Sequence, residues 1–224
     1  MPTRSKRPSS SRRRSSGPAT PPAEIVAVSA GPARVASTLR DALAKGADRA
    51  LHILADDPTD NPADTLALAR LLAAAIRAEA PDLILTGLQS DDLGLGQTGV
   101  VLAELLEIPH ATLILKVEKT AAGIRVKREL EDGWFQHIDL PLPALLTIQS
   151  GGNKLRYATL MGIKRAKSKP TATLPAAPST TPPAIELTRV YLPEKQKRPE
   201  MLTGTPPEIA AQLVEKLKSE IRVL

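Results

Sequence analysis

Residues 87–99 read GLQSDDLGLGQTG, four glycines and two adjacent aspartates set between an apolar run, DLILT, and a helical run, VVLAELL. A glycine-rich turn from strand to helix lets a phosphate approach the backbone, and the free N–H groups and dipole of the helix favour an anion there. Those N–H groups fall near Gly96 to Gly99, and Thr98 could add a hydroxyl donor. The loop carries no lysine, so it is not of the G-K-[ST] kind that handles a triphosphate. Asp91 and Asp92 would repel a phosphate that they faced. They suit capping the turn, or accepting hydrogen bonds from ribose hydroxyls or from a partner's arginine. Gln89, Asp91, Asp92, Gly94, Gly96, Gln97, Thr98 and Gly99 are the candidate nucleotide contacts, with a purely structural glycine turn as the alternative.

A second stretch, NKLRYATLMGIKRAKSKP (153–170), gathers Lys154, Arg156, Lys164, Arg165, Lys167 and Lys169 around Leu160-Met161-Gly162-Ile163. One reading is an ordinary helix whose cationic last turn complements its dipole. The other is an exposed apolar anchor ringed by cations, suited to a protein partner with an acidic rim. Other chemistry is scarce. The chain has no cysteine, and His52, His110 and His137 are scattered through strand-like segments without ligand spacing. With one Trp, one Phe and two Tyr it offers no stacking platform for single-stranded nucleic acid. No self-contained catalytic constellation is visible in the sequence.

The net charge of +6 is local. Arg4, Lys6, Arg7, Arg12, Arg13 and Arg14 precede the first acid, Glu24, and without those six the chain holds 24 basic and 24 acidic residues. The sequence MPTRSKRPSSSRRRSSGPATPP is too poor in apolar side chains to offset the entropy of ordering. It reads as an anion-binding arm, an organelle transit segment or an extension without a role. The body is neutral, so no nucleic-acid partner is expected. No apolar run approaches the length of a membrane span, nothing resembles a secretory signal, and the cytoplasm is the default compartment.

The elements that must position the loop alternate strand and helix. EIVAVSA (24–30), RALHIL (49–54) and PDLILTG (81–87) read as buried parallel strands. ARVASTLRDALAKG (33–46) and ADTLALARLLAAAIRAEA (63–80) read as helices, the second opened by Asn61 as N-cap with Pro62 at its first position. HATLILKVE (110–118), GIRVKREL (123–130) and WFQHIDL (134–140) alternate with period two around tight turns, and PALLTIQS (143–150) follows as a fourth strand returning to the core. Nine of the 21 prolines lie from Pro170 to Pro207, marking an extended arm with one short strand at 185–192. A final amphipathic helix, 207–221, puts Ile209, Leu213, Leu217 and Ile221 on one stripe. The expected fold is α/β: a Rossmann-like parallel sheet with helices on both faces, an antiparallel excursion, and a C-terminal arm ending in a helix. The expected divisions are a tail at 1–23, a nucleotide-binding domain at 24–169 and the arm at 170–224.

GLQSDDLGLGQTG followed by its apolar helix, together with LPALLTIQSGGNKLRYATLMGIKRAKSKP, resembles the electron transfer flavoprotein family in its beta subunits. The segment R-Y-A-T-L-x-x-I-K-x-A-K carries most of the likeness; GADRALHI and LVEKLKSEIRVL agree with it, from Glu24 to Leu224. The resemblance implies a heterodimer that carries electrons, rather than a stand-alone enzyme, in which an alpha subunit holds the redox-active FAD. It also implies AMP as a structural ligand in the loop from Gln89 to Thr98, with a second FAD there in bifurcating relatives. The spacing D-x-x-x-x-Q-T-G is similar to the AMP-binding members. Arg156, Tyr157, Leu160, Ile163, Lys164 and Lys167 match a recognition segment that anchors acyl-CoA or other flavin dehydrogenases, with Leu160 as the inserted side chain. Glu129 matches a contact to the alpha subunit, and the arm would wrap that subunit. The cytoplasm expected is that of a bacterium or archaeon, in preference to a mitochondrial matrix.

Relatives of this kind begin with a K-I-L-V-x-V-K strand and a helix, where this sequence has its Arg/Ser tail. The expectation is an incomplete sheet whose central strands keep unpaired backbone edges. A misassigned start and a degenerate subunit are alternatives, as is a nucleotide-binding stress or sensor module without a redox partner.

Overall fold

A computed structural model describes residues 23–55, 64–176, 182–189, 191–192 and 200–221. The Arg/Ser tail, Asn61 and Pro62 lie outside them. The chain divides into two compact units, one ending at Leu187 and one beginning at Thr188. In the first, the order is β1 (Val26–Gly31), α1 (Val35–Lys45), β2 (Arg49–Leu54), α2 (Thr65–Glu79), β3 (Leu83–Gly87), α3 (Thr98–Leu106), β4 (His110–Lys119), β5 (Ile124–Glu129), β6 (Phe135–Leu140), β7 (Ala144–Ile148), α4 (Leu160–Ala166) and β8 (Thr171–Pro175). The second unit holds α5 (Pro206–Lys216), continued by a π-helical turn at Leu217–Ile221.

The fold is α/β. Helices α1 and α4 pack together, burying Leu39, Leu43 and Ala166 against Ala50 of β2. Helices α2 and α3 pack together elsewhere, where Ala69, Ala73, Ile76, Leu102 and Ala103 meet Leu145 of β7. Leu51 and Ile53 of β2 sit with Ala75 of α2, so β2 is covered on both sides. Beyond the parallel pairs, β4 to β6 form the antiparallel excursion, and β7 returns to lie between β3 and β4. The ladder of β4 is broken near Leu113, which takes a left-handed φ of 61°. Such a bulge bends the strand and lets the excursion close over Leu83, Ala144 and Leu146.

Two sequence expectations change. The strand expected at 185–192 is absent from the described residues, whereas Thr171–Pro175, inside the proline-rich stretch, pairs in parallel with β2. The side chain that caps α2 is Asp64, which is 3% exposed and accepts from Ala67 N at 2.9 Å. Its other oxygen accepts from Ala184 N at 2.8 Å, tying the start of the arm to the same helix end. These backbone N–H groups hold the Asp64 carboxyl below its ordinary pKa, although burial opposes them.

The sheet is divided. Strands β1, β2 and β8 form one piece, and β3, β7, β4, β5 and β6 the other. Val28 of β1 and Ile84 of β3 nevertheless pack against the same cluster under α2 and α3. Gly31 O accepts from Ala55 N on the β2 side, and Asp82 O accepts from Ala144 N on the β7 side. Backbone groups alternate sides along a strand, so the N–H and C=O of Val26, Val28 and Ala30, and of Leu83, Leu85 and Gly87, point to edges that no described strand covers. An open pair of central edges is what the resemblance leads one to expect. Amide hydrogen exchange tests it residue by residue. The amides of Val26, Val28, Ala30, Leu83, Leu85 and Gly87 should exchange roughly 100-fold or more faster than those of Ala27, Ser29, Ile84 and Thr86. Equal protection of both sets would show the edges covered. Among the described residues no helix is long and apolar enough to cross a membrane.

Candidate functional site

The loop 87–99 leaves the C-terminal end of β3, the side of an open α/β sheet where ligands sit. Asp92 Oδ1 accepts from Leu93 N at 2.8 Å, and Gly94 N donates to Ser90 O at 3.0 Å, closing a tight turn. Hydrogen bonds from Ser90 and Leu93 hold the Asp92 carboxyl below its ordinary pKa. Asp92 is therefore a turn-capping carboxylate. Gly94 and Gly96 both have φ of 63°, the left-handed region that favours glycine. The Gln89 side chain lies under Gly96, 3.7 Å from where a Cβ would stand. Gln97 is fixed by Thr65 Oγ1, which donates to its Oε1 at 3.1 Å and links the loop to the start of α2.

Val101 N makes a bond back to Gln97 O at 3.0 Å. The N–H groups of Thr98, Gly99 and Val100 consequently have no acceptor within the helix. Gly99 is buried against the strand ends: a Cβ there would stand 2.5 Å from Thr86 Oγ1 and 2.7 Å from Thr147 Cγ2. The Oγ1 atoms of Thr86 and Thr147 are themselves buried without a partner among the described residues. The arrangement offers a phosphate-bearing ligand three backbone donors, the Thr98 hydroxyl and bare glycine backbone, and residues 87–99 themselves contain no lysine or arginine.

The segment 153–170 is built differently. Thr159 caps α4 by accepting from Gly162 N at 3.0 Å. A Cβ at Gly162 would collide with Ala44 O, so only glycine allows this approach of α4 to α1. Lys169 Nζ donates to Leu43 O at 3.1 Å and to Ala47 O, and Arg156 Nη1 donates to Lys45 O at 3.4 Å. Both cations thus sit on the carbonyl end of α1, where the helix dipole favours them. Ala166 is buried, yet Leu160 is 87% exposed, and Leu155, Tyr157, Met161 and Ile163 are exposed around it. Leu160 and these neighbours form an exposed apolar patch on a helix that is fixed to α1.

Glu129 stands apart from both, at the end of β5 opposite Phe135. Next to it, a 3-10 turn at Glu131–Gly133 presents exposed Trp134, and the Lys127 ammonium lies 3.5 Å from the Phe135 ring centroid. A depression of about 250 Å³ on the excursion is lined by Lys116, Glu118, Arg125, Lys127 and His137. Ion pairs join Lys116 to Glu118 and Arg125 to Asp139 there, so much of its charge is already matched. His52 is a buried residue of β2, its Nε2 3.0 Å from Gly31 O. The sequence reading missed Asp64, Gly162 and the seating role of Arg156 and Lys169, each of which depends on a neighbour distant in sequence.

Residues 15–179 match the family model described as an electron transfer flavoprotein domain. The chain is 39% identical over 202 residues to the electron transfer flavoprotein subunit beta of Methylophilus methylotrophus, covering 86% of this chain and 75% of that protein. It is 40% identical over 221 residues to the mitochondrial subunit beta of Oryza sativa subsp. japonica, covering 95% and 81%. To the subunit beta of Bos taurus it is 36% identical over 201 residues, covering 89% and 77%.

Proposed function

Because the chain belongs to the electron transfer flavoprotein family and matches its beta subunits, we propose that it forms the beta half of an electron-carrying heterodimer. Its partner is an alpha subunit that holds the redox-active FAD. The pair accepts electrons from flavin dehydrogenases, acyl-CoA dehydrogenases among them, and delivers them to a membrane or other acceptor in the cytoplasm. FAD supplies the electron chemistry when bound, so this chain needs no acid or base of its own. Its residues place a nucleotide and dock partners.

The observation that carries the reading is Leu160, exposed to 87% on a helix bolted to α1. A side chain presented so firmly outward fits the anchor that the resemblance assigns to it, with Tyr157 and Ile163 beside it and Lys164 and Lys167 around it. In the loop, AMP fits the donors present. Thr98, Gly99 and Val100 offer N–H groups to its phosphate, Gly94 and Gly96 admit close approach, and Gln89, Asp91 and Asp92 are exposed for contacts with its ribose or base. A second FAD is the alternative occupant of the same loop. Glu129 would contact the alpha subunit. So would α5, none of whose residues is buried within its own unit although Leu213 and Val214 are apolar.

Co-expression with an alpha subunit tests this directly. The expected product is a yellow complex that releases FAD and AMP in equal amounts on denaturation. A colourless chain that never associates with alpha would overturn the proposal.

A further inference from the structure

The docking surface around Leu160 has a second part on α1. Gly162 of α4 rests on Ala44, and one turn further along α4, Ala166 and Lys167 border a cavity with Arg40, one turn before Ala44. The two helices are therefore antiparallel neighbours. The cavity, about 550 Å³, lies where α1, the end of α4 and the start of β8 meet, lined by Arg40, Ala166, Lys167, Lys169 and Thr171. Three of its five lining side chains are cations and none is a carboxylate.

These cations differ in what they already do. Lys169 spends two of its donors on Leu43 O and Ala47 O, which fixes the cavity floor to the end of α1. Arg40 and Lys167 are exposed, and neither forms an ion pair among the described residues. Asp41, the next residue along α1, projects about 100° further round the helix and does not line the cavity. Close contact at Gly162 and the cap at Lys169 make α1 and α4 one platform, so Arg40 is held at a set distance from Leu160. Seven residues of helical rise put Lys167 about 10 Å from Leu160 along α4.

We propose that Arg40 and Lys167 together receive an acidic side chain of the dehydrogenase whose apolar pocket takes Leu160. This rests on the docking role given to Leu160 above. The occupant follows from charge: a concave site whose polar walls are three cations and one hydroxyl, beside an apolar anchor, complements an apolar pocket with a carboxylate on its rim. Arg40 lies outside the recognition segment and reaches the site only because α4 packs on α1.

The test uses the heterodimer, reduced by a flavin dehydrogenase at several ionic strengths. Arg40→Glu and Lys167→Glu should each raise the KM for the dehydrogenase about three- to tenfold at low salt, leave kcat within a factor of two, and lose the effect as salt screens the charges. Arg40→Gln should give a smaller rise, and thermal unfolding should be unchanged because Arg40 is exposed. If Leu160→Ala raises KM while both charge reversals leave it unaltered, Arg40 has no docking role and the proposal falls, with the anchor reading intact. If Leu160→Ala also has no effect, the anchor reading itself fails and takes this proposal with it. A KM rise that salt does not diminish would mark a packing defect and would equally overturn it.

Discussion

Leu160→Ala is expected to raise the KM for a reducing dehydrogenase about tenfold or more while leaving bound flavin, fold and unfolding temperature unchanged. Leu160 is 87% exposed and contributes almost nothing to the core, so its truncation should alter stability by no more than about 0.5 kcal/mol. Burying a leucine in a partner's pocket is worth about 1.5–3 kcal/mol, and each 1.4 kcal/mol is tenfold in affinity. The loss should appear in KM and not in kcat, because in the proposed role the side chain holds the complex together and takes no part in electron transfer. A matching truncation at Ile163, which is 47% exposed, should cost less, since a partly covered side chain has less surface left to bury. Unchanged KM for Leu160→Ala, with flavin retained, would remove the anchor.

What makes this prediction sharp is the seat beneath the residue. Side chains that must be ordered on docking lose part of the energy they gain. Here Thr159, Gly162, Arg156 and Lys169 have already fixed α4 on α1. None of that seat is local in sequence. Arg156 and Lys169 look in the sequence like two more cations in a basic run, and only the carbonyls of Leu43, Lys45 and Ala47 give them another task.

Where a signal is local, the sequence is informative. The loop 87–99 is legible because its glycines, its aspartate turn and the helix start lie within a dozen residues, and the strands of the excursion are legible from alternation and tight turns. Legibility fails where pairing decides. Thr171–Pro175 is an exposed edge strand flanked by Pro170 and closed by Pro175, so neither burial nor alternation marks it; the free edge of β2 makes it a strand. Residues 185–192 alternate well, yet those described pair with no strand. Asn61-Pro62 has the residue types of a helix start, but the described cap is Asp64, which serves both α2 and Ala184. A carboxylate with two sets of donors reads as an ordinary acid until the arm is in place.

Gly99→Ala is expected to harm the packing of the first unit and the phosphate end of the loop together. Its Cβ would stand 2.5 Å from Thr86 Oγ1 and 2.7 Å from Thr147 Cγ2, both far inside van der Waals contact. Thr147 is wholly buried and cannot swing away, so turning the Thr86 side chain alone does not clear the site. The first turn of α3 must then lift by about 1 Å, an overpacking that costs roughly 1–3 kcal/mol. For a unit of this size that corresponds to a fall in Tm of about 3–10 °C. The same lift moves the N–H groups of Thr98 and Val100, so AMP affinity should drop about tenfold in the heterodimer. Gly87→Ala is the control: no atom lies within 4 Å of a Cβ there, and stability should change little. Adding Thr86→Ala and Thr147→Ser to Gly99→Ala removes the two colliding atoms and should restore most of the lost stability. Thr86→Ala gives up a hydroxyl that has no partner among the described residues, and Thr147→Ser gives up only the colliding methyl group. If Gly99→Ala unfolds at the temperature of the parent, the helix does not rest on the strand ends as drawn, and the three-donor cradle is misplaced.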